Sequence, residues 1–208
     1  MMEVKITKAT NPKVKPAPAT VPFGVAFTDH MFMMEYDSEN GWQNPRIVPF
    51  GDISMNPGAL VFHYGAEVFE GLKAYRTPNG EVQMLRPAEN FKRMNNSAER
   101  LCLPQFDVED AVEYRRQFVE VEKDWVPDQY GTSLYMRPFL FGTEADLPLL
   151  LAGFGRRNRP PSSAWQTVHL PVCPQCFLQR KNCRRCLQYG PEVYPWNGKA
   201  RKRYPYRI

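Results

Sequence analysis

No stretch of this 208-residue chain approaches the roughly 18 consecutive apolar residues that a membrane-spanning helix requires; the longest apolar clusters, such as 147–152, are short and interrupted by proline. A transmembrane helix is excluded. Residues 1–20 hold four lysines and three prolines, with neither the apolar centre of a secretory signal nor the Arg-rich amphipathic pattern of a transit peptide. They are expected to belong to a flexible tail, residues 1–22, on a cytoplasmic protein. Cysteine is scarce across residues 1–146, where Cys102 stands alone between Leu101 and Leu103. It reads as a buried, small apolar residue in a reducing compartment, not as a nucleophile. Acidic residues almost vanish after Leu147. Residues 1–146 carry 15 Lys/Arg against 21 Asp/Glu, while residues 147–208 carry 12 against 1, so the mild net charge of +5 joins two unlike parts.

The first part has the patterning of a domain. Strand-like segments at 26–36, 47–50 and 59–64 alternate with turn signals, among them Glu39-Asn40-Gly41. Segments 72–76 and 81–86 flank Thr77-Pro78-Asn79-Gly80, where proline presets one turn dihedral and Asn-Gly tolerates positive φ, the chemistry of a tight hairpin. Pro87 suits the first turn of a helix, and Phe91, Met94, Ala98 and Leu101 recur at helical spacing up to Pro104. A second helix is expected from Asp107, which can accept from first-turn amides. Val108, Val112, Phe118 and Val119 form its apolar stripe, and Pro127 marks its end. A further strand over 132–141 puts Ser133, Tyr135 and Arg137 on one face and Leu134 and Met136 on the other. The expected fold class is α+β: a mainly antiparallel sheet with packed helices over 23–147, followed by an irregular, disordered tail over 148–208.

Phe62-His63-Tyr64-Gly65-Ala66-Glu67-Val68-Phe69-Glu70-Gly71-Leu72-Lys73-Ala74-Tyr75 resembles the branched-chain amino acid aminotransferases, pyridoxal-phosphate enzymes of fold type IV. The likeness is long, and four further segments carry it in the family's order. They are Phe27-Thr28-Asp29-His30-Met31, Arg100-Leu101-Cys102-Leu103-Pro104, Lys123-Asp124-Trp125-Val126-Pro127 and Gly131-Thr132-Ser133-Leu134-Tyr135-Met136-Arg137-Pro138. The resemblance implies the small N-terminal domain of such an enzyme. Its reaction would exchange an amino group between leucine, isoleucine or valine and 2-oxoglutarate, with pyridoxal 5'-phosphate as electron sink and a homodimer as the working assembly.

By the same resemblance, Arg93 matches an arginine that binds the cofactor phosphate, a task suited to a planar guanidinium. Phe23, Tyr64 and Tyr135 match aromatics lining the pocket for the branched side chain, and Arg137 matches an arginine near the substrate carboxylate. Taken alone, a strand aromatic more often packs a core, and a helix arginine is more often solvated. Only for Tyr135 and Arg137 does two-residue spacing put both on one face without appeal to the family. Glu70 and Lys73 stand out to the eye, but Lys73 is not matched to the Schiff-base lysine, which in the family lies in the second domain. No catalytic residue is therefore assigned.

Beyond Leu147 the family pattern stops. Arg156-Arg157-Asn158-Arg159-Pro160-Pro161, four cysteines at 173, 176, 183 and 186, and Lys199-Ala200-Arg201-Lys202-Arg203 follow, with 8 of the 20 prolines in these 62 residues and no helix or alternating strand of useful length. Three readings stand open. The first is an out-of-frame or intron-derived translation, which makes the chain a truncated aminotransferase without activity or stable cofactor binding of its own, and with no nucleic-acid or membrane partner. The second is a zinc site from the two Cys-x-x-Cys pairs, although six intervening residues are few against the roughly 15–20 of zinc ribbons. The third is a basic nucleic-acid-binding tail with Tyr204 and Tyr206 as stacking surfaces.

Overall fold

The structure, a computed structural model, describes residues 1–17 and 24–145 in full and only the backbone of 163–171 and 205–207. Strands β1 (Lys5–Ile6), β2 (His30–Asp37), β3 (Gly41–Pro49), β4 (Glu67–Phe69), β5 (Leu72–Arg76), β6 (Val82–Leu85), β7 (Leu134–Gly142), β8 (Ser163–Pro171) and β9 (Pro205–Arg207) share one sheet. Its order is β1-β3-β2-β8-β7-β5-β6-β9, with β4 also pairing β7. Every pairing is antiparallel except β1 with β3. Helices α1 (Leu60–Tyr64), α2 (Pro87–Arg100) and α3 (Val108–Val121) complete an α+β fold.

Period-two patterning builds one side of the sheet into the core. Phe32, Met34, Val68, Leu72, Ala74, Val82, Met84, Leu134, Met136 and Leu140 are buried there against Phe91, Met94 and Ala98 of α2 and Val112, Phe118 and Val119 of α3. Each such side chain contributes about 1.5–3 kcal/mol through removal from water. The hairpin forms where expected. Thr77 and Glu81 close it through a 2.8 Å backbone bond, and Gly80 adopts φ +82°. Pro87 opens α2, and Asp107 caps α3 by accepting from the Asp110 amide at 2.8 Å.

Four expectations differ from the structure. Segment 59–64 forms the short helix α1, not a strand. A short apolar run cannot be told from a helical turn by periodicity, and here Gly65, at φ +57°, ends the turn by donating its amide to the Val61 carbonyl. Cys102 is exposed, and Leu101 with it. The chain reverses at Cys102 (φ 54°), the amides of Leu101 and Leu103 both reach the Ala98 carbonyl, and Leu103 takes the core position. Residues 1–17 are not a loose tail: β1 pairs β3, with Ile6 beside Ile47, so backbone hydrogen bonding fixes a segment whose composition suggested none. Within 148–208, strands β8 and β9 occur where sequence patterning gave none. The backbone of β8 pairs both β2 and β7, and such pairing can be imposed by strands already in place. The basic runs and the four cysteines lie outside the described residues.

Candidate functional site

Strands β4 and β5 are one strand cut in two. Glu67, Val68 and Phe69 lie opposite Phe141, Leu140 and Phe139, while Leu72, Lys73 and Ala74 lie opposite Met136, Tyr135 and Leu134. The register carries through the gap, so Glu70 falls opposite Pro138 and Gly71 opposite Arg137. The Glu70 amide donates to the Pro138 carbonyl at 3.0 Å. Pro138 has no N–H to return, and the ladder breaks there.

The break puts two sets of side chains on opposite sides of the sheet. On the helix-covered side, Glu70 meets α2: Asn90 Nδ2 donates to Glu70 Oε2 at 3.0 Å and to the Gly71 carbonyl at 3.1 Å. Arg93, one turn further along, donates from Nε to Glu70 Oε1 at 3.0 Å and from Nη2 to Oε2 at 2.8 Å. This is the two-pronged geometry of a strong guanidinium–carboxylate pair, although Arg93 remains half-exposed and water weakens the pair.

On the other side, Arg137 Nη2 donates to the Tyr135 hydroxyl oxygen at 3.1 Å. The guanidinium carbon stands 4.5 Å from the centre of the Phe69 ring and 5.6 Å from that of Tyr135, both within cation–π range. Arg137 Nε is buried with no hydrogen-bond partner among the described residues. A Cβ at position 71 would lie 2.6 Å from the Tyr135 hydroxyl, so any side chain there would have to displace that ring. Lys73 is paired across the strands with Tyr135.

Of the residues singled out in the sequence, Tyr135 and Arg137 are in direct contact. Arg93 is joined to their strand pair through Glu70, from the opposite side of the sheet. Tyr64 ends α1, exposed, with its ring centre 6.5 Å from that of His63. Phe23 lies outside the described residues. Phe69 was not picked out in the sequence, yet it forms the surface beneath Arg137 and is 53% exposed. Its signal was available: in an alternating strand whose Val68 faces the core, Phe69 faces away from it. Among the described residues, no group of three or more His, Cys, Asp or Glu side chains is placed to hold a metal ion, and no helix is long and apolar enough to cross a membrane.

The Phe69, Tyr135 and Arg137 side chains thus share the side of the β4–β5–β7 ladder that faces away from the core of an α+β domain. No family model matches the chain. Curated proteins do, three of them as follows. The branched-chain-amino-acid aminotransferase 2 of Bacillus subtilis is 48% identical over 141 residues, covering 68% of this chain and 39% of its own length. The branched-chain-amino-acid transaminase 1 of the same organism is 52% identical over 135 residues, 65% of this chain and 38% of its own. The mitochondrial branched-chain-amino-acid aminotransferase of Rattus norvegicus is 48% identical over 147 residues, 70% of this chain and 37% of its own. A solved Escherichia coli branched-chain amino acid aminotransferase aligns with TM-score 0.49 and 20% identity over 69% of this chain and 40% of its own. Over its N-terminal portion, the chain is homologous to branched-chain-amino-acid aminotransferases. It spans about two fifths of the length of these relatives.

Proposed function

We propose that residues 23–147 serve as the small domain of a branched-chain amino acid aminotransferase. Its Tyr135–Arg137 wall receives a branched-chain amino acid or the corresponding 2-oxo acid, and Tyr64 and Phe23 extend the apolar lining; Arg93, matched by the resemblance to the ligand of the pyridoxal 5'-phosphate phosphate, would have to leave Glu70 to serve there. The observation that carries this reading is Arg137 itself. It is a cation held between aromatic rings with a buried, unpartnered Nε. Burial of an unpaired donor costs about 1–3 kcal/mol, a cost reduced by a ligand carboxylate that draws the guanidinium into hydrogen bonding. Rings beside a carboxylate reader suit a branched aliphatic substrate. Homodimer assembly, as expected of the family, is part of the same proposal.

The 208-residue chain by itself is proposed to be inactive. Its matches to the three relatives extend over 135 to 147 residues, which supports a domain boundary near Leu147 and a tail outside the family pattern. No lysine of the sequence is matched to the Schiff-base position, so the amine that would carry the cofactor and move the substrate α-proton is not assigned. The donor set also argues against stable binding of pyridoxal phosphate by these residues alone. The assigned phosphate ligand is Arg93, and two of its donors are engaged by the Glu70 carboxylate, whose charge opposes that of a phosphate.

Incubating the purified chain with pyridoxal phosphate, leucine and 2-oxoglutarate should give no glutamate and little change in the cofactor's absorbance. Sustained leucine-dependent glutamate formation would overturn the inactivity. Translation of the encoding nucleotides in the other two frames beyond codon 147 tests the origin of the tail. A family-like large domain there supports a frame change, and its absence in every frame removes that reading.

A further inference from the structure

Beyond β1, the backbone of residues 7–13 is fastened to the rest of the chain at three points. The Thr7 amide donates to the Ile47 carbonyl at 2.8 Å, the Ala9 amide to His30 Nε2 at 2.8 Å, and the Lys13 amide to Asp29 Oδ1 at 2.7 Å. Lys13 Nζ also donates to the Thr28 carbonyl at 2.9 Å and stands 4.5 Å from the centre of the Phe50 ring. The middle fastening is the one whose chemistry depends on protons. His30 is buried, and its Nδ1 faces Glu122 Oε1, while Glu122 Oε2 accepts from the Asp29 amide at 3.3 Å.

A neutral imidazole carries one N–H. Because the Ala9 amide supplies the hydrogen at Nε2, the ring's own proton must sit on Nδ1 and point at Glu122. A second proton has only Nε2 to occupy. There it would face the Ala9 N–H, two donors head to head across a hydrogen bond that no longer has an acceptor.

We propose that residues 7–13 form a proton-released strap, docked while the His30 imidazole is neutral and freed when Nε2 takes up a proton. The charged and titratable groups around His30 come from every element packed on it. Glu122 follows α3, Asp29 precedes β2, Lys13 ends the strap, Lys15 lies just beyond it, and Asp124 lies in the 3-10 turn Lys123–Trp125. Asp29 is also fixed by Trp125, whose indole Nε1 donates to its Oδ2 at 2.9 Å. Burial raises the Glu122 carboxyl above the ordinary range, against the hydrogen bond from His30, so Glu122 is a second group in the cluster able to take up a proton. Imidazole is the group suited to a switch between about pH 5 and 8. Release that takes up one proton weakens docking by up to about tenfold per pH unit as the pH falls.

Amide hydrogen exchange on the full chain between about pH 8 and 5.5 tests this. After correction for the intrinsic pH dependence of exchange, protection at Thr7, Ala9 and Lys13 should fall on acidification, by up to about tenfold per pH unit. The amides of Phe91 and Phe118 in the core should keep theirs. His30→Gln retains an acceptor that cannot be protonated, so it should leave strap protection independent of pH. Glu122→Gln should keep the dependence, displaced to lower pH. Constant protection of the strap in the unaltered chain overturns the proposal, as does loss of core protection in step with the strap. Persistence of the dependence in His30→Gln assigns it to Glu122 and also defeats the proposal. If His30→Gln does not fold, a flat response in Glu122→Gln decides against it.

Discussion

The two sides of the β4–β5–β7 ladder are made from alternate residues of the same strands and have opposite characters. Val68, Leu72, Ala74, Leu134, Met136 and Leu140 are buried beneath α2 and α3, whereas Phe69, Lys73, Tyr135, Arg137 and Phe139 all retain some exposure. The covered side sets the register: a slip of one residue would turn its whole apolar set outward. The other side then has no freedom of placement. Stability on one side thus dictates geometry on the other, and Arg137 can carry an unsatisfied donor because the adjoining core holds its strand in position.

Substitutions can break or sharpen that contrast. The largest effect is expected on the covered side, where Phe91→Ala should cost about 3–5 kcal/mol in urea denaturation, since it removes a fully buried ring and leaves a cavity. Gly71→Ala tests the coupling between the sides. The new methyl would press on the Tyr135 hydroxyl, and a loss of about 1–3 kcal/mol is expected, partly relieved when Tyr135→Phe is added. No relief in the double variant would mean that the strain lies in the backbone. Asp107→Ala removes the acceptor for the Asp110 amide at the start of α3 and should cost about 1 kcal/mol by the same measurement. Glu70→Gln weakens the pairing with half-exposed Arg93 and should cost less than about 1 kcal/mol.

Arg137→Leu should have the smallest effect on stability, neutral to slightly favourable, because it removes a buried donor without a partner. A loss of several kcal/mol there would make Arg137 part of the structural framework and weaken the contrast between the two sides.

Much of this was legible in the sequence for local reasons. The Thr77–Gly80 turn, Pro87 at the head of α2 and Asp107 before α3 act through their own dihedrals and nearest amides, so neighbours along the chain suffice to read them. The shared face of Tyr135 and Arg137 follows from strand period alone. Cys102 and segment 59–64 were misread because a left-handed residue in each case redirects the chain: Cys102 itself, and Gly65 at the end of α1. Residues 1–17 were misread because their order comes from partners far along the chain, Ile47, His30 and Asp29, which no local pattern reveals.

By itself the sequence determined the likeness of the N-terminal portion to its relatives, the alternation of its strands, the two main helices and the residue types available for a site. Those depend on short-range dihedral preference and periodicity, which are written along the chain. Tertiary structure alone decided that Pro138 would break the facing strand at Glu70, that Glu70 would hold Arg93, that Phe69 would lie under Arg137, and that Ala9 would dictate the His30 tautomer. Each of these is a meeting of groups remote in sequence, fixed by the register and packing of a completed sheet.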